Sequence, residues 1–292
     1  MARAALFVVA ALAVCPGGHA IAQEVAAREV LTGGVGEYVV QRGDTLASVS
    51  ARFGTGTDTL RERNGLDPRA RLAIGQTLTV DNRHIAGLDP GASITINVAQ
   101  RMLYLADGES VRAFPVAVGQ KSWPTPVGAF MVVDKEENPT WDVPVSIQRE
   151  MLNQGKKVIT RMPPSPENPL GAYWIRLSIE NLGIHGTIAP ASIYRYASHG
   201  CIRMHPDDIA QVYARVGPGA VGRLTYQPVL VAEIDGQVFV EAHADVYRLA
   251  PDPAAYVRNY ADMRGLTERI DWQAVAAVLQ QPRGLAIDVT KQ

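Results

Sequence analysis

The chain has 292 residues and a formal net charge of −1, from 28 basic and 29 acidic residues. This balance excludes the broad basic surface that nucleic acids or anionic membranes require, so we expect no nucleic-acid partner. Hydrophobic residues make up 47% of the sequence, and 26 glycines and 19 prolines indicate two or three globular units built mostly from short strands.

Residues 1–22 are typical of a secretory signal peptide. Arg3 gives a positive start, residues 4–14 form an apolar run too short to span a membrane, and residues 20–22 form a small-x-small cleavage site. Cys15 also lies in a loose lipobox, which leaves lipid attachment open. We therefore expect a periplasmic or secreted protein that does not span a membrane and whose mature chain keeps Cys201 alone.

A small strand–helix–helix–strand unit is predicted over residues 37–81, after a leader of small and polar residues at 23–36. Asp44 is predicted to cap the first helix and Thr57 the second. Residues 75–80 have the alternation of a returning strand. This gives an α+β unit of the βααβ type.

The stretch 38–46, Asn64 and the stretch 74–78 resemble the LysM module. LysM modules bind N-acetylglucosamine units of peptidoglycan or chitin, so the resemblance implies a glycan ligand. Asp44 and Asn64 also suit helix caps and turns, which is a purely structural reading. The residues that the resemblance implies as glycan contacts are Asp44, Thr45, Ile74 and Gly75.

A second, β-rich unit is predicted over residues 93–227, after a linker at 82–91. Its proline-rich segments at 124–128 and 163–166 predict long loops of the kind that often carry function. Residues 228–292 follow as a hairpin and helix appendage, in which we expect no chemistry.

The chemistry is concentrated between His185 and Arg203. A thiol needs a base within hydrogen-bond reach to ionise, and that base needs an acceptor that orients it. Cys201 is the candidate nucleophile, and Gly200 would let a substrate carbonyl approach the amides of Gly200 and Cys201, which could face its oxyanion. A buried, inert cysteine and a zinc site are the alternatives. The zinc site would use His185, His199, Cys201 and His205, but their spacing matches no compact zinc pattern, so we expect no metal.

His185-Gly186-Thr187 and the later run from Ser198 to Arg203 resemble the L,D-transpeptidase, or YkuD, family. The resemblance implies a mostly β fold with a β-sandwich catalytic domain and no cofactor. It implies that the Cys201 thiolate attacks the diaminopimelate carbonyl of a peptidoglycan stem peptide, expels D-alanine and passes the acyl group to an amine. The implied roles are nucleophile for Cys201, base for His185, orienting carbonyl for Gly186, pocket and thiolate support for Ser198 and His199, and substrate binding for Arg203.

The segments 124–128, 138–141 and 166–171 extend the likeness to a LysM-bearing branch that attaches envelope proteins to peptidoglycan. The acceptor amine would then belong to an envelope protein or to a second stem peptide. Ile188 and Tyr194 depart from the family pattern, which bears on substrate preference. Two alternatives stay open: hydrolysis of the thioester by water, giving an L,D-carboxypeptidase or an amidase-like release, and a wall anchor without catalysis.

Overall fold

The computed structural model of the protein describes residues 28–292. The predicted signal peptide and Cys15 lie outside the described residues. The prediction of a mostly β protein is confirmed. The elements of the first 90 residues are β1 Arg28–Thr32, β2 Val35–Val39, α1 Leu46–Phe53, α2 Thr57–Arg63, β3 Thr77–Asp81 and β4 His84–Leu88.

The central unit follows. Its elements are β5 Ile94–Asn97, β6 Met102–Asp107, β7 Ser110–Gly119, β8 Gly128–Glu137, β9 Trp141–Asp142, α3 Val145–Asn153, β10 Arg161–Met162, β11 Tyr173–Leu177, β12 Gly183–His185, β13 Tyr196–Ser198, β14 Ile202–Met204, α4 Pro206–Arg215 and β15 Val221–Thr225. The C-terminal elements are β16 Val229–Ile234, β17 Gln237–Ala242, α5 Pro253–Arg264, α6 Trp272–Gln280 and β18 Ala286–Asp288.

The βααβ unit forms as predicted, with β2 and β3 antiparallel and both helices between them. The predicted caps are wrong. Thr45 caps α1, because it exchanges backbone and side-chain hydrogen bonds with Ser48 in a capping box. Asp44 instead closes the preceding turn by accepting from the Tyr38 hydroxyl at 2.5 Å, and α2 begins at Thr57 after Gly56 with no side-chain cap.

The predictions of an irregular leader at 23–36 and a linker at 82–91 are also wrong, because each segment contains a strand. β1 pairs antiparallel with β4 over five residues, from Arg28 opposite Leu88 to Thr32 opposite His84. This ribbon packs through Leu31 and Ile85 against the C-terminal hairpin β16–β17. Partners so distant in sequence leave no local signal, which is why both segments resemble loops.

The central unit is one continuous sheet that closes on itself through β7. Its strand order is β13-β7-β14-β12-β11-β8-β15-β5-β6, and β6 pairs again with β7. The first half of β7 binds β6 and its second half binds β14, so the sheet wraps around a single apolar core. The two layers expected of a sandwich are therefore opposite walls of one barrel-like sheet.

The C-terminal subdomain is a three-stranded sheet, β16-β17-β18, covered by α5 and α6. The hairpin around Asp235 and the N-cap of α6 at Asp271 are as predicted. α5 was missed, although Asp252 caps its start and Gly265, in the left-handed conformation, ends it. The subdomain packs onto the rest of the chain through the hairpin β16–β17.

The small unit also packs on the barrel. Ala51 of α1 is buried against Ala117 of β7 and against Ile193, which follows a turn at Pro190–Ser192. This turn belongs to the segment that joins His185 to Cys201. The βααβ unit thus braces the back of the segment that carries the predicted chemistry.

Candidate active site

Two adjacent strands bring the predicted catalytic residues together. β12 and β14 are parallel neighbours with His185 opposite Arg203, and Cys201 directly precedes β14. A cavity of about 1240 Å³ is lined by Cys201, His185, Arg203, Ser198 and His199. Five of the seven residues predicted for this site therefore border one space.

His185 is fixed by its neighbours. It is 4% exposed, its Nδ1 lies 2.7 Å from the Gly186 carbonyl oxygen, and its ring stacks on Trp174 with centroids 5.7 Å apart. A carbonyl only accepts, so Nδ1 carries the ring proton and Nε2 keeps its lone pair. Burial, aided by the charge of Arg203, lowers the pKa of His185 to about 3.

Cys201 is half-buried, and its Sγ lies 3.7 Å from the Asn181 carbonyl oxygen. Burial raises the pKa of the thiol, while the Gly183 backbone and Arg203 act in the opposite direction. A raised thiol pKa beside a lowered imidazole pKa favours a neutral thiol and a neutral imidazole at rest.

The loop before Cys201 is held by Ser198. Its Oγ donates to the Cys201 carbonyl at 2.5 Å and accepts from the Gly200 amide at 3.1 Å. The Gly200 amide is therefore occupied and does not face an oxyanion, contrary to the prediction. Gly200 has a φ of +110°, which favours glycine, so its contribution is the sharp turn that presents Cys201.

Thr125 and Tyr247 were missed by sequence reasoning. Thr125 is 2% exposed and its Oγ1 donates to the Gly200 carbonyl at 2.7 Å. The hydroxyl of Tyr247 accepts from the Thr125 amide at 3.1 Å and donates to the Gly119 carbonyl at 2.5 Å. The C-terminal subdomain, in which no chemistry was expected, thus supports the loop that precedes Cys201.

His199 belongs to a second polar pair at the cavity. Its Nε2 lies 2.5 Å from Glu150 Oε2 on α3, and its ring packs edge-on against Trp123 with centroids 5.3 Å apart. Both partners are about one-third exposed. The Glu150 contact joins the loop that precedes Cys201 to α3.

Comparison with known proteins identifies the family of this chain. Residues 91–231 match the model of the L,D-transpeptidase catalytic domain, and residues 38–81 match the LysM domain. A probable L,D-transpeptidase ErfK/SrfK of Escherichia coli is 32% identical over 266 residues, covering 84% of this chain and 82% of the relative. The chain belongs to the L,D-transpeptidase family.

Other relatives fit the same assignment. A putative L,D-transpeptidase YkuD of Bacillus subtilis is 32% identical over 62% of this chain and 94% of its own length. A solved L,D-transpeptidase from Mycobacterium smegmatis is 16% identical with a TM-score of 0.38, over 68% of this chain and 92% of that one, a likeness too weak to carry an argument. The chain is an L,D-transpeptidase, an acyltransferase of peptidoglycan, and is associated with the cell wall.

The roof of this L,D-transpeptidase cavity is the segment between β8 and β11. Asn168 is 1% exposed, and its amide nitrogen donates to the Pro139 carbonyl at 2.9 Å, so it ties the two ends of the segment together. α3, which lies inside the segment, has no buried residue. The roof is therefore anchored at its base, and α3 contributes little to the core.

Arg203 is half-buried in the cavity, and burial lowers its pKa. Among residues 28–292, no carboxylate pairs with its guanidinium. A partly desolvated cation without a protein partner favours an incoming anion.

The glycan contacts predicted for the LysM domain differ in how open they are. Three of them lie on its surface loops, namely Thr45, Ile74, which is 68% exposed, and Gly75. The Asp44 carboxylate is already hydrogen-bonded to the Tyr38 hydroxyl and to the Gln41 amide.

One group of side chains has the composition of a metal site. Donor atoms of His84, Glu241 and His243 lie within 4.8 Å of one another and are buried. His84 Nδ1 lies 2.8 Å from Glu241 Oε1, and its Nε2 lies 2.7 Å from the Gly54 carbonyl oxygen. The Gln100 side-chain amide also donates to Glu241. Every one of these side-chain atoms already has a hydrogen-bond partner, so the group fits a hydrogen-bonded junction of the three units.

In the described part of the chain, no helix is long and apolar enough to span a membrane.

Proposed function

We propose that Cys201 is the nucleophile of this L,D-transpeptidase and that His185 is its base. The observation that supports this proposal is the single cavity that Cys201, His185 and Arg203 line together. His185 Nε2 takes the thiol proton as Sγ attacks the diaminopimelate carbonyl of a stem peptide. The imidazolium then gives this proton to the departing D-alanine nitrogen, which leaves a thioester.

The Gly186 carbonyl supports this role because it holds Nδ1–H and keeps the lone pair on Nε2. Burial favours the neutral imidazole at rest, so the Nε2 lone pair is free to take the thiol proton as the carbon–sulfur bond forms. Arg203 binds the carboxylate of the donor stem peptide. Ser198 and Gly200 shape the loop that presents the sulfur.

An amine then resolves the thioester. The acceptor belongs to an envelope protein or to a second stem peptide, and the reaction takes place in the periplasm or at the cell exterior after export. The LysM domain binds the glycan strand through the loops at Thr45 and at Ile74 and Gly75. Because this domain is packed on the barrel, it holds the strand at a fixed distance from Cys201.

The test is a product assay with purified tetrapeptide muropeptides, an amine acceptor and mass spectrometry. Wild type should release D-alanine and form the crosslinked product, and Cys201→Ala should form neither. His205→Asn is the matched control, since His205 lies outside the cavity and caps α4, a role that Asn keeps. Equal turnover by Cys201→Ala would remove the proposal, and release of the tripeptide without transfer would assign hydrolysis.

A further inference from the structure

The second half of an L,D-transpeptidase reaction needs a base of its own. Acceptor amines are ammonium ions at neutral pH, because the pKa of an alkylamine such as lysine is roughly 10. An ammonium has no lone pair, so a proton must leave before nitrogen can attack the thioester carbonyl. The group that takes this proton must be open to the cavity.

His185 is poorly suited to that task. It is 4% exposed and enclosed by Trp174 and the Gly186 carbonyl.

His199 has the opposite surroundings. Glu150 Oε2 lies 2.5 Å from its Nε2, and Glu150 Oε1 accepts from Gln154 at 3.0 Å, so the carboxylate is itself held in place. A carboxylate only accepts, so it fixes the ring proton on Nε2 and leaves the lone pair on Nδ1. Nδ1 makes no hydrogen bond with any residue in the described range 28–292.

His199 is also close to the reacting sulfur. Only Gly200 separates it from Cys201, so their Cα atoms are at most about 7 Å apart. Both side chains border the same cavity. Glu136 lines this cavity too, and its carboxylate favours the approach of an ammonium ion.

We propose that His199 and Glu150 form a second acid–base pair that removes the proton from the acceptor ammonium. The inference rests on the proposed function above. One proton passes from the ammonium to His199 Nδ1, and the freed lone pair attacks the thioester carbonyl. As the carbon–sulfur bond breaks, the second proton passes through His185 to sulfur, which restores the thiol. His199 returns its proton to water, and Glu150 acts as the positioning residue.

The competing explanation is that the pair only fastens α3 above the cavity. α3 has no buried residue, so loss of the Glu150 contact would also free the helix. The two explanations differ in one respect. A loosened helix impairs every acceptor, whereas a missing base impairs only an acceptor that arrives protonated.

The experiment compares wild type, Glu150→Gln and Asp142→Asn. Asp142 is the matched control, a carboxylate at the same cavity that pairs with Arg161 at 3.4 Å. Acyl-enzyme is first formed from the tetrapeptide donor and quantified by intact mass. It is then mixed either with an amine stem peptide or with hydroxylamine, which is largely uncharged at neutral pH.

We expect Glu150→Gln to form acyl-enzyme within about twofold of the wild-type rate and to lose about 100-fold in transfer to the amine stem peptide. Transfer to hydroxylamine should stay within about threefold of wild type for all three proteins. Equal loss with both acceptors, or no loss with either, would overturn the inference. If wild type formed no adduct on Cys201, the proposed function itself would fail, which is a separate outcome.

Discussion

The charge state of Cys201 can be tested by alkylation across a range of pH. The pKa of His185 is about 3, against an ordinary value of 6.5, so the difference is 6.5 − 3 = 3.5 units. At 1.36 kcal/mol per unit, protonating this imidazole at rest costs about 5 kcal/mol relative to water. Together with the raised pKa of the Cys201 thiol, this cost disfavours a preformed thiolate–imidazolium pair at neutral pH.

The assay is the rate of iodoacetamide addition to Cys201. The midpoint of its pH profile should lie above that of a free cysteine, which is about 8.5, because burial raises the thiol pKa. Arg203→Gln should move the midpoint further upward, since the guanidinium stabilises the thiolate, whereas His185→Gln should leave it nearly unchanged. A midpoint below the free value that is lost in His185→Gln would refute the reasoning, because it would reveal a resting ion pair.

Three further predictions concern stability and site geometry. Burial lowers the pKa of His243 to about 4, so the stability that depends on its neutral ring is complete above the unfolded value of 6.5 and is lost as pH falls through 4, by about 3 kcal/mol. Denaturant unfolding of His243→Gln should show a smaller loss of stability in acid than wild type, and parallel pH profiles of the two proteins would contradict this. Gly183→Ala would place the new methyl group 2.3 Å from the Trp174 ring, which stacks on His185. We expect D-alanine release to fall at least about tenfold while the circular dichroism spectrum stays native, and full activity would contradict this prediction. Removing residues 28–81 should lower the melting temperature of the remainder, because buried contacts cross that boundary; an unchanged value would mean independent domains.

Features with local signals could be predicted from the sequence. The hairpin needs only Asp235-Gly236 between two apolar strands, and α6 begins at Asp271 because its carboxylate accepts from the first free amides of the helix. The run from His185 to Cys201 likewise identified one catalytic neighbourhood, since β12 and β14 become neighbours in the folded sheet.

Features that depend on distant partners could not be predicted. Tyr247 and Thr125 are 122 residues apart, and His199 and Glu150 are 49 apart, so neither contact follows from local pattern. The protonation states of Cys201 and His185 depend on burial, which the motif does not encode.

The central claim is that Cys201 carries the acyl group. Its most direct test is the intact mass of the enzyme, quenched in acid during a single turnover with a tetrapeptide donor and no acceptor. We expect an added mass equal to the donor less D-alanine, located on the peptide containing Cys201, discharged by hydroxylamine and absent in Cys201→Ala. D-alanine release without any adduct on Cys201, or an adduct that persists in Cys201→Ala, would contradict it.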